Sequence, residues 1–234
     1  MIKPRSLTSI SLVFPCYNEA DNVGQLIDQA VKVIEEYGVD YEVVIVDDGS
    51  RDNTAEIVRR AATKNPRVRL VSHEKNKGYG AAVATALHSA AKELVFFSDG
   101  DNQFHISDIE KLFSKIDSCD AVVGYRISRQ DVAYRRLNGF VWTQTARMIF
   151  GLKVRDVDCA FKLFRQKFIK DLPLESHHLL IHAEILARLK KRGCRVQEIG
   201  VPHYPRTAGK ATATRPEILV RSVFELLKLY WRIR

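Results

Sequence analysis

The sequence predicts an α/β fold in which a mostly parallel central sheet carries helices on both faces. Two observations point there. Over the first 125 residues, short apolar runs alternate with segments of helical periodicity, the signature of parallel strands joined by crossover helices. The residues just after each early run are polar: "PCYNE", "DDGS", "HEKNKGYG" and "DGDNQ". Ligands of such sheets bind at the carboxyl ends of the strands, so these four segments carry most of the functional weight.

The elements follow in order. "SISLVF" (9–14) is a strand, and Val23, Leu26, Ile27, Ala30, Ile34 and Tyr37 mark one face of the helix after it. "YEVVIV" (41–46) is a second strand. Asn53 with Glu56 predicts a capping box for a helix that stops before Pro66. "VRLVS" (68–72) is a third strand, "AAVATALHSAAK" a third helix and "ELVFFS" (93–98) a fourth strand. Ser107 with Glu110 predicts another capping box, and "CDAVVGY" (119–125) a fifth strand. The second half is less regular: a helix over about 134–150, a strand at 159–165, and a helix over 181–192 that ends at Gly193. A strand at 196–201 and an apolar helix with interleaved arginines at 216–233 complete the chain. No repeat or low-complexity linker divides it, which predicts one domain over 1–234.

Composition narrows the class. No apolar run approaches the roughly 18 residues that a membrane-spanning helix needs. The N-terminus has no small-residue cleavage pattern, so its apolar run is read as a strand and not a signal peptide. Cys16, Cys119, Cys159 and Cys194 lie far apart without C-x-x-C spacing, which favours reduced thiols in the cytoplasm over disulfides or a zinc site. The net charge of +9 is unevenly spread, with 14 Lys+Arg against 19 Asp+Glu in residues 1–120 and 23 against 9 in the rest. A basic second half suits an anionic membrane, a phosphorylated substrate or nucleic acid. The carboxylates at the strand ends argue against nucleic acid.

Asp99 and Asp101, in "VFFSDGDNQFH", deliver two like charges to the end of one buried strand. A divalent Mg²⁺ or Mn²⁺ would resolve their repulsion, with Gln103 offering an amide oxygen at the same alternation. Asp48 and Glu19 suit a base N–H or a ribose hydroxyl, with Tyr17 beside a base, while Asp52 suits a helix cap. "NKGYGAA" lacks the third glycine of the dinucleotide fingerprint, and there is no P-loop. Its glycines, Gly78 among them, allow close backbone approach to phosphate or sugar at a helix N-terminus. His178 and His182 have a metal-ligand spacing with Glu184 nearby, but no H-E-x-x-H is present and a core-facing or acceptor-site helix is expected.

Together, "FPCYNEADN", "VDDGSRDNT", "NKGYGAA", "SDGDNQ" and "RDVDCAFKLFR" resemble the family 2 glycosyltransferases of GT-A fold, over about residues 9–210. The resemblance is strongest to the polyprenyl-phosphate sugar synthases typified by dolichol-phosphate mannose synthase. It implies a Rossmann-like nucleotide-sugar-binding half (about 9–125), an acceptor half (about 126–215) and a C-terminal amphipathic helix (216–234). By the same resemblance Pro15, Tyr17, Glu19, Asp48, Gly78 and Asp99 would hold the nucleotide. Asp99, Asp101 and Gln103 would bind Mg²⁺ or Mn²⁺, and Arg126, Arg135 or Arg136, Arg206 and Lys210 would meet phosphates of donor or acceptor. Asp101, Arg126 and Asp156 are the catalytic candidates, with Asp156, or its neighbour Asp158, either orienting a partner or acting as a base.

The implied reaction is inverting, metal-dependent transfer of a hexose from a nucleotide-diphosphate sugar, of the GDP-mannose or UDP-glucose type, to a polyprenyl (dolichyl or undecaprenyl) phosphate. The alternative is a soluble family 2 enzyme acting on a saccharide or protein hydroxyl. The first reading implies a peripheral position on the cytoplasmic face of a membrane, or a membrane partner protein, and no nucleic acid. Two departures stand out: Ala160 replaces a glycine common among relatives, and no long hydrophobic C-terminal segment follows.

Overall fold

Seven apolar runs become strands: β1 (Ser9–Cys16), β2 (Asp40–Asp47), β3 (Val68–Ser72), β4 (Leu94–Ser98), β5 (Ala121–Ile127), β6 (Phe161–Arg165) and β7 (Val196–Pro202). The computed structural model describes residues 3–127, 133–176, 178–206 and 216–233, and its side chains at 133–138 and 216–224 lie outside the description. The strands form one sheet in the order β3-β2-β1-β4-β6-β5-β7. β1 pairs in parallel with β2 and β4, β2 with β3, and β5 with β7. β6 alone runs antiparallel, inserted between β4 and β5. That inversion has a consequence for function. The loop entering β6 lies at the same sheet edge as the carboxyl ends of the parallel strands.

The helices are α1 (Ala20–Glu35), α2 (Thr54–Lys64), α3 (Tyr79–His88), α4 (Ile109–Ile116), α5 (Ala133–Phe150), α6 (Gln166–Ile169), α7 (Leu180–Lys191) and α8 (Pro216–Ile233). All six apolar positions expected to face inward around α1, from Val23 to Tyr37, are buried. In α4 the buried set Ile109, Leu112, Phe113 and Ile116 follows the same period. β1 and β2 are buried along nearly their whole length, as expected for central strands with both faces covered. A second, smaller core joins α5, α7 and α8 through Trp142, Ala146, Leu180, Ala183, Leu186, Leu226 and Leu229. None of the described helices is long and apolar enough to cross a membrane.

Local expectations are corrected at several ends. Neither capping box forms. Asn53 makes no side-chain cap hydrogen bond; the carboxylate that bonds at this helix start is the preceding Asp52. Its Oδ1 accepts from the Thr54 N–H (3.0 Å) and hydroxyl (2.5 Å), and its Oδ2 from the Ala20 N–H at the start of α1 (3.1 Å). One carboxylate thus serves two helix N-termini. Before α4, a 3-10 turn at Ile106–Asp108 moves the helix start past Ser107 and leaves no side-chain cap. The third helix begins at Tyr79, two residues before "AAVATALHSAAK", and the fifth strand runs to Ile127.

Asp52→Ala is expected to lower stability by about 1 kcal/mol, the usual worth of a capping carboxylate, and Asn53→Ala by much less. Denaturant midpoints of the two variants measure the difference.

Candidate active site

β1, β2, β4 and β5 end along one edge, and the predicted residues gather there. Asp99 and Asp101 follow β4 with Gly100 between them. A Cβ on Gly100 would lie 2.4 Å from Cys16 Sγ and 3.1 Å from the Pro15 carbonyl oxygen. Only glycine lets the turn close onto the end of β1 and leave both carboxylates at the mouth. Asp99 is held by the Tyr79 hydroxyl, which donates to Oδ1 at 2.6 Å. Burial, then the neighbouring Asp101 charge, pushes the Asp99 carboxyl up to about 7. Burial raises Asp101 as well. Beside them Asn102, at φ 58°, has a buried Oδ1 with no hydrogen-bond partner.

Cations reach the pair from the second half of the chain. Arg206, just beyond β7, ion-pairs with Glu19, the N-cap residue of α1, and its Nη1 lies 4.0 Å from Asp101 Oδ2. Burial raises the Glu19 carboxyl despite hydrogen bonds from Asn22 and Arg206. Gln103 stitches the same corner: its backbone carbonyl accepts from the Tyr204 N–H (2.9 Å), and its side-chain nitrogen donates to the Tyr204 carbonyl (3.1 Å).

Arg126, near the end of β5, donates from Nε to Asp156 Oδ2 (2.6 Å) and from Nη2 to Oδ1 (2.8 Å). Burial works against its charge, but this two-pronged partner more than offsets it and raises the guanidinium pKa. Asp158 receives the Trp142 indole N–H at 2.8 Å. Burial pushes its carboxyl up to about 6, against the pull of Arg126.

The loop after β2 is spent on its neighbours. Asp48 is buried; its Oδ1 bonds His73 Nδ1 (2.6 Å) and accepts from the Lys77 N–H (2.9 Å), while Oδ2 accepts from the Gly78 N–H (2.9 Å). Gly49 allows the approach, since a Cβ there would sit 2.6 Å from the Asn76 nitrogen. Gly78, at φ 93°, caps α3. Asp48 thus ties the end of β2 to the start of α3, with the Gly78 N–H engaged. Tyr17 is exposed at the rim, while Pro15 lies buried inside β1.

Residues 11–172 match the family model described as Glycosyl transferase family 2. The chain belongs to that family. It is 33% identical over 215 residues to an undecaprenyl-phosphate 4-deoxy-4-formamido-L-arabinose transferase of Edwardsiella ictaluri, an alignment covering 88% of this chain and 63% of that protein. It is 32% identical to a dolichyl-phosphate beta-glucosyltransferase of Trichomonas vaginalis, over 82% of this chain and 62% of the relative. The chain thus spans less than two thirds of these relatives' length. Glucosyl-3-phosphoglycerate synthase of Mycobacterium tuberculosis, solved with Mn²⁺ and UDP-glucose, superposes with a TM-score of 0.73 at 17% identity, covering 96% of this chain and 79% of that one. At that identity the likeness establishes the fold, which is GT-A.

Within this family member, Glu19, Asp99, Asp101, Gln103, Arg126, Asp156 and Arg206 share one edge. Arg135 and Arg136 fall in the first turn of α5, where side chains lie outside the description, and Lys210 lies outside the described residues. His182 is buried in the core, with Nε2 3.0 Å from the Tyr79 hydroxyl. The sequence reading gave no role to Tyr79, Trp142 or Lys162. Lys162 carried a signal: a lysine inside the apolar strand "FKLFR" is buried at 0% exposure, which is rare without a dedicated set of partners.

Gly100→Ala is expected to cost about 1–3 kcal/mol through overpacking against β1. Adding Cys16→Ala removes the nearest atom and should recover part of that loss. Strict additivity of the two in denaturant melts would reject the contact.

Proposed function

We propose that this chain transfers a hexose from a nucleotide-diphosphate sugar to a polyprenyl phosphate, with inversion at the anomeric carbon. The observation that carries the reading is the grouping at one sheet edge: two half-buried carboxylates under repulsion, faced by the guanidinium groups of Arg126 and Arg206. Such a grouping suits a divalent cation with a diphosphate on one side and an anionic acceptor on the other. Two relatives, an undecaprenyl-phosphate and a dolichyl-phosphate sugar transferase, favour that acceptor.

The donor set fits Mg²⁺ or Mn²⁺. Asp99 and Asp101 are hard oxygen ligands, and the unpartnered Asn102 Oδ1 adds a third oxygen close by. When bound, the cation would neutralise charge on the leaving diphosphate as a Lewis acid. This chain's own residues supply the rest. Arg126, kept rigid by Asp156, orients an anionic oxygen toward the sugar. Arg206 is a long-chain cation poised between Glu19 and Asp101, able to exchange those carboxylates for phosphate. Asp156 is occupied by Arg126, so it acts as an orienting group. A phosphate oxygen is already anionic near neutral pH and needs no base.

We further propose a peripheral position on the cytoplasmic face of a membrane. Phe140, Val141 and Met148 on α5 and Leu227 and Trp231 on α8 are exposed, and the basic second half complements anionic headgroups. Residues 9–125 would serve the donor and 126–215 the acceptor, within one domain.

UDP- and GDP-sugars incubated with a short polyprenyl phosphate and Mn²⁺ should give a lipid-linked sugar that is lost with EDTA and with Asp101→Ala. Transfer to a free saccharide, with none to lipid phosphate, would instead support the soluble alternative.

The pH dependence follows from Asp99. Its folded pKa near 7 lies above the roughly 3.9 of an unfolded aspartate. Protonation therefore stabilises the fold below about pH 4, and that contribution is lost as pH rises through 7. A proton on Asp99 also competes with the cation. Mn²⁺ affinity should climb from pH 5.5 to about 7.5 and then level, and Mn²⁺ should raise the melting temperature more at pH 8 than at pH 6.

A further inference from the structure

Two buried side chains, Lys162 and His182, and the half-buried Tyr79 form a hydrogen-bonded line that ends on Asp99. Lys162, in the middle of β6, donates its Nζ to the carbonyls of Val157 (3.3 Å) and Cys159 and lies 3.4 Å from His182 Nδ1. His182, on α7 and fully buried, brings Nε2 to 3.0 Å from the Tyr79 hydroxyl. Tyr79, the first residue of α3, donates that hydroxyl to Asp99 Oδ1 at 2.6 Å. The Tyr79 and His182 rings meet edge-on, 5.6 Å between centroids, and Phe97 closes the other side of the imidazole at 5.8 Å.

With Asp99 ionised, as a cation ligand must be, the direction of this line is fixed at both ends. An ammonium offers only donors and a carboxylate only acceptors, while a tyrosine hydroxyl has a single proton to give. If Tyr79 gives its proton to Asp99, its oxygen must accept from His182, so Nε2 carries the imidazole proton. Nδ1 is then the acceptor for Lys162. Each polar group is satisfied in one sense only, and the line crosses from β6 through α7 to α3. A lysine and a histidine kept wholly inside a core are costly unless paired in this way, by roughly several kcal/mol for the ammonium alone.

We propose that Tyr79, His182 and Lys162 are positioning residues, a one-way strut that fixes Asp99 Oδ1 and leaves Oδ2 for a divalent cation. The proposal rests on Asp99 as a cation ligand in the reaction proposed above. Hydrogen-bond partners behind a metal ligand set its orientation, and their loss typically costs about 10–100-fold in metal affinity.

The test has two arms. In the first, Mn²⁺ is titrated against the wild-type chain and Tyr79→Phe in the presence of UDP or GDP, with free Mn²⁺ read by electron paramagnetic resonance. Tyr79→Phe keeps the ring and should weaken Mn²⁺ about 10-fold while metal-free nucleotide affinity stays the same. His182→Phe should give a similar loss, and the double variant no greater one, since the effect passes through one hydroxyl. In the second arm, ¹⁵N-histidine NMR of the wild-type chain should show His182 neutral and protonated at Nε2, a signature that packing alone does not dictate. Tyr79→Phe binding Mn²⁺ within twofold of wild type, or an Nδ1–H tautomer, overturns the strut. Wild-type protein that takes up no Mn²⁺ with either nucleotide overturns the cation site itself, and the strut's role with it. The wild-type titration tells that failure apart from failure of the strut alone.

Discussion

The like-charge pair at the end of β4 is the constraint around which the rest of this edge is arranged. Two carboxylates separated by one glycine and sunk into a sheet edge cannot both ionise without cost. The fold answers with partners from every direction. The Tyr79 hydroxyl holds Asp99 from α3, Arg206 approaches Asp101 from beyond β7, and the charges of Lys162 and Arg126 pull the Asp99 carboxyl down. These offsets are incomplete, since Asp99 still sits near 7. That shortfall of positive charge is what the cation proposed above would make good.

The inverted strand makes those offsets possible. Were β6 parallel to its neighbours, the loop bearing Asp156 and Asp158 would enter at the opposite edge, away from the ends of β4 and β5. Running antiparallel, it delivers Asp156 to Arg126 and sets Lys162 behind Asp99. The uneven charge along the chain acquires a spatial meaning. The acidic first half contributes the carboxylates of β1 and β4, the basic second half contributes Arg126 and Arg206, and the sheet brings both to one edge.

What the sequence made legible was whatever is local. Alternation gave the strands, a 3.6-residue period gave the buried face of α1, and strand ends marked Asp99, Asp101 and Glu19, which the fold brings to one edge. What stayed hidden depends on contacts between distant segments. Asn53 and Ser107 had the right spacing for capping boxes, yet Asp52 and a 3-10 turn intervened. Composition marked Gly78, but not the bond from its N–H to Asp48, thirty residues earlier. His182 had the spacing of a metal ligand, and only the packing of α7 against α3 turns it toward Tyr79 instead.

The acceptor side follows the same logic of charge. An enzyme that activates a hydroxyl needs a carboxylate free to take a proton, and Asp156 is committed through both oxygens to Arg126. Asp158, raised to about 6 and held by Trp142, is the carboxylate in this corner whose protonation changes near neutral pH. A phosphate acceptor makes that capacity unnecessary and makes a rigid guanidinium valuable, because the nucleophile is already an anion and its main need is orientation. The pairing of Arg126 with Asp156 reduces the net charge presented while fixing the direction of the donors. This arrangement suits holding and orienting an anion, in keeping with the phosphate acceptor proposed above.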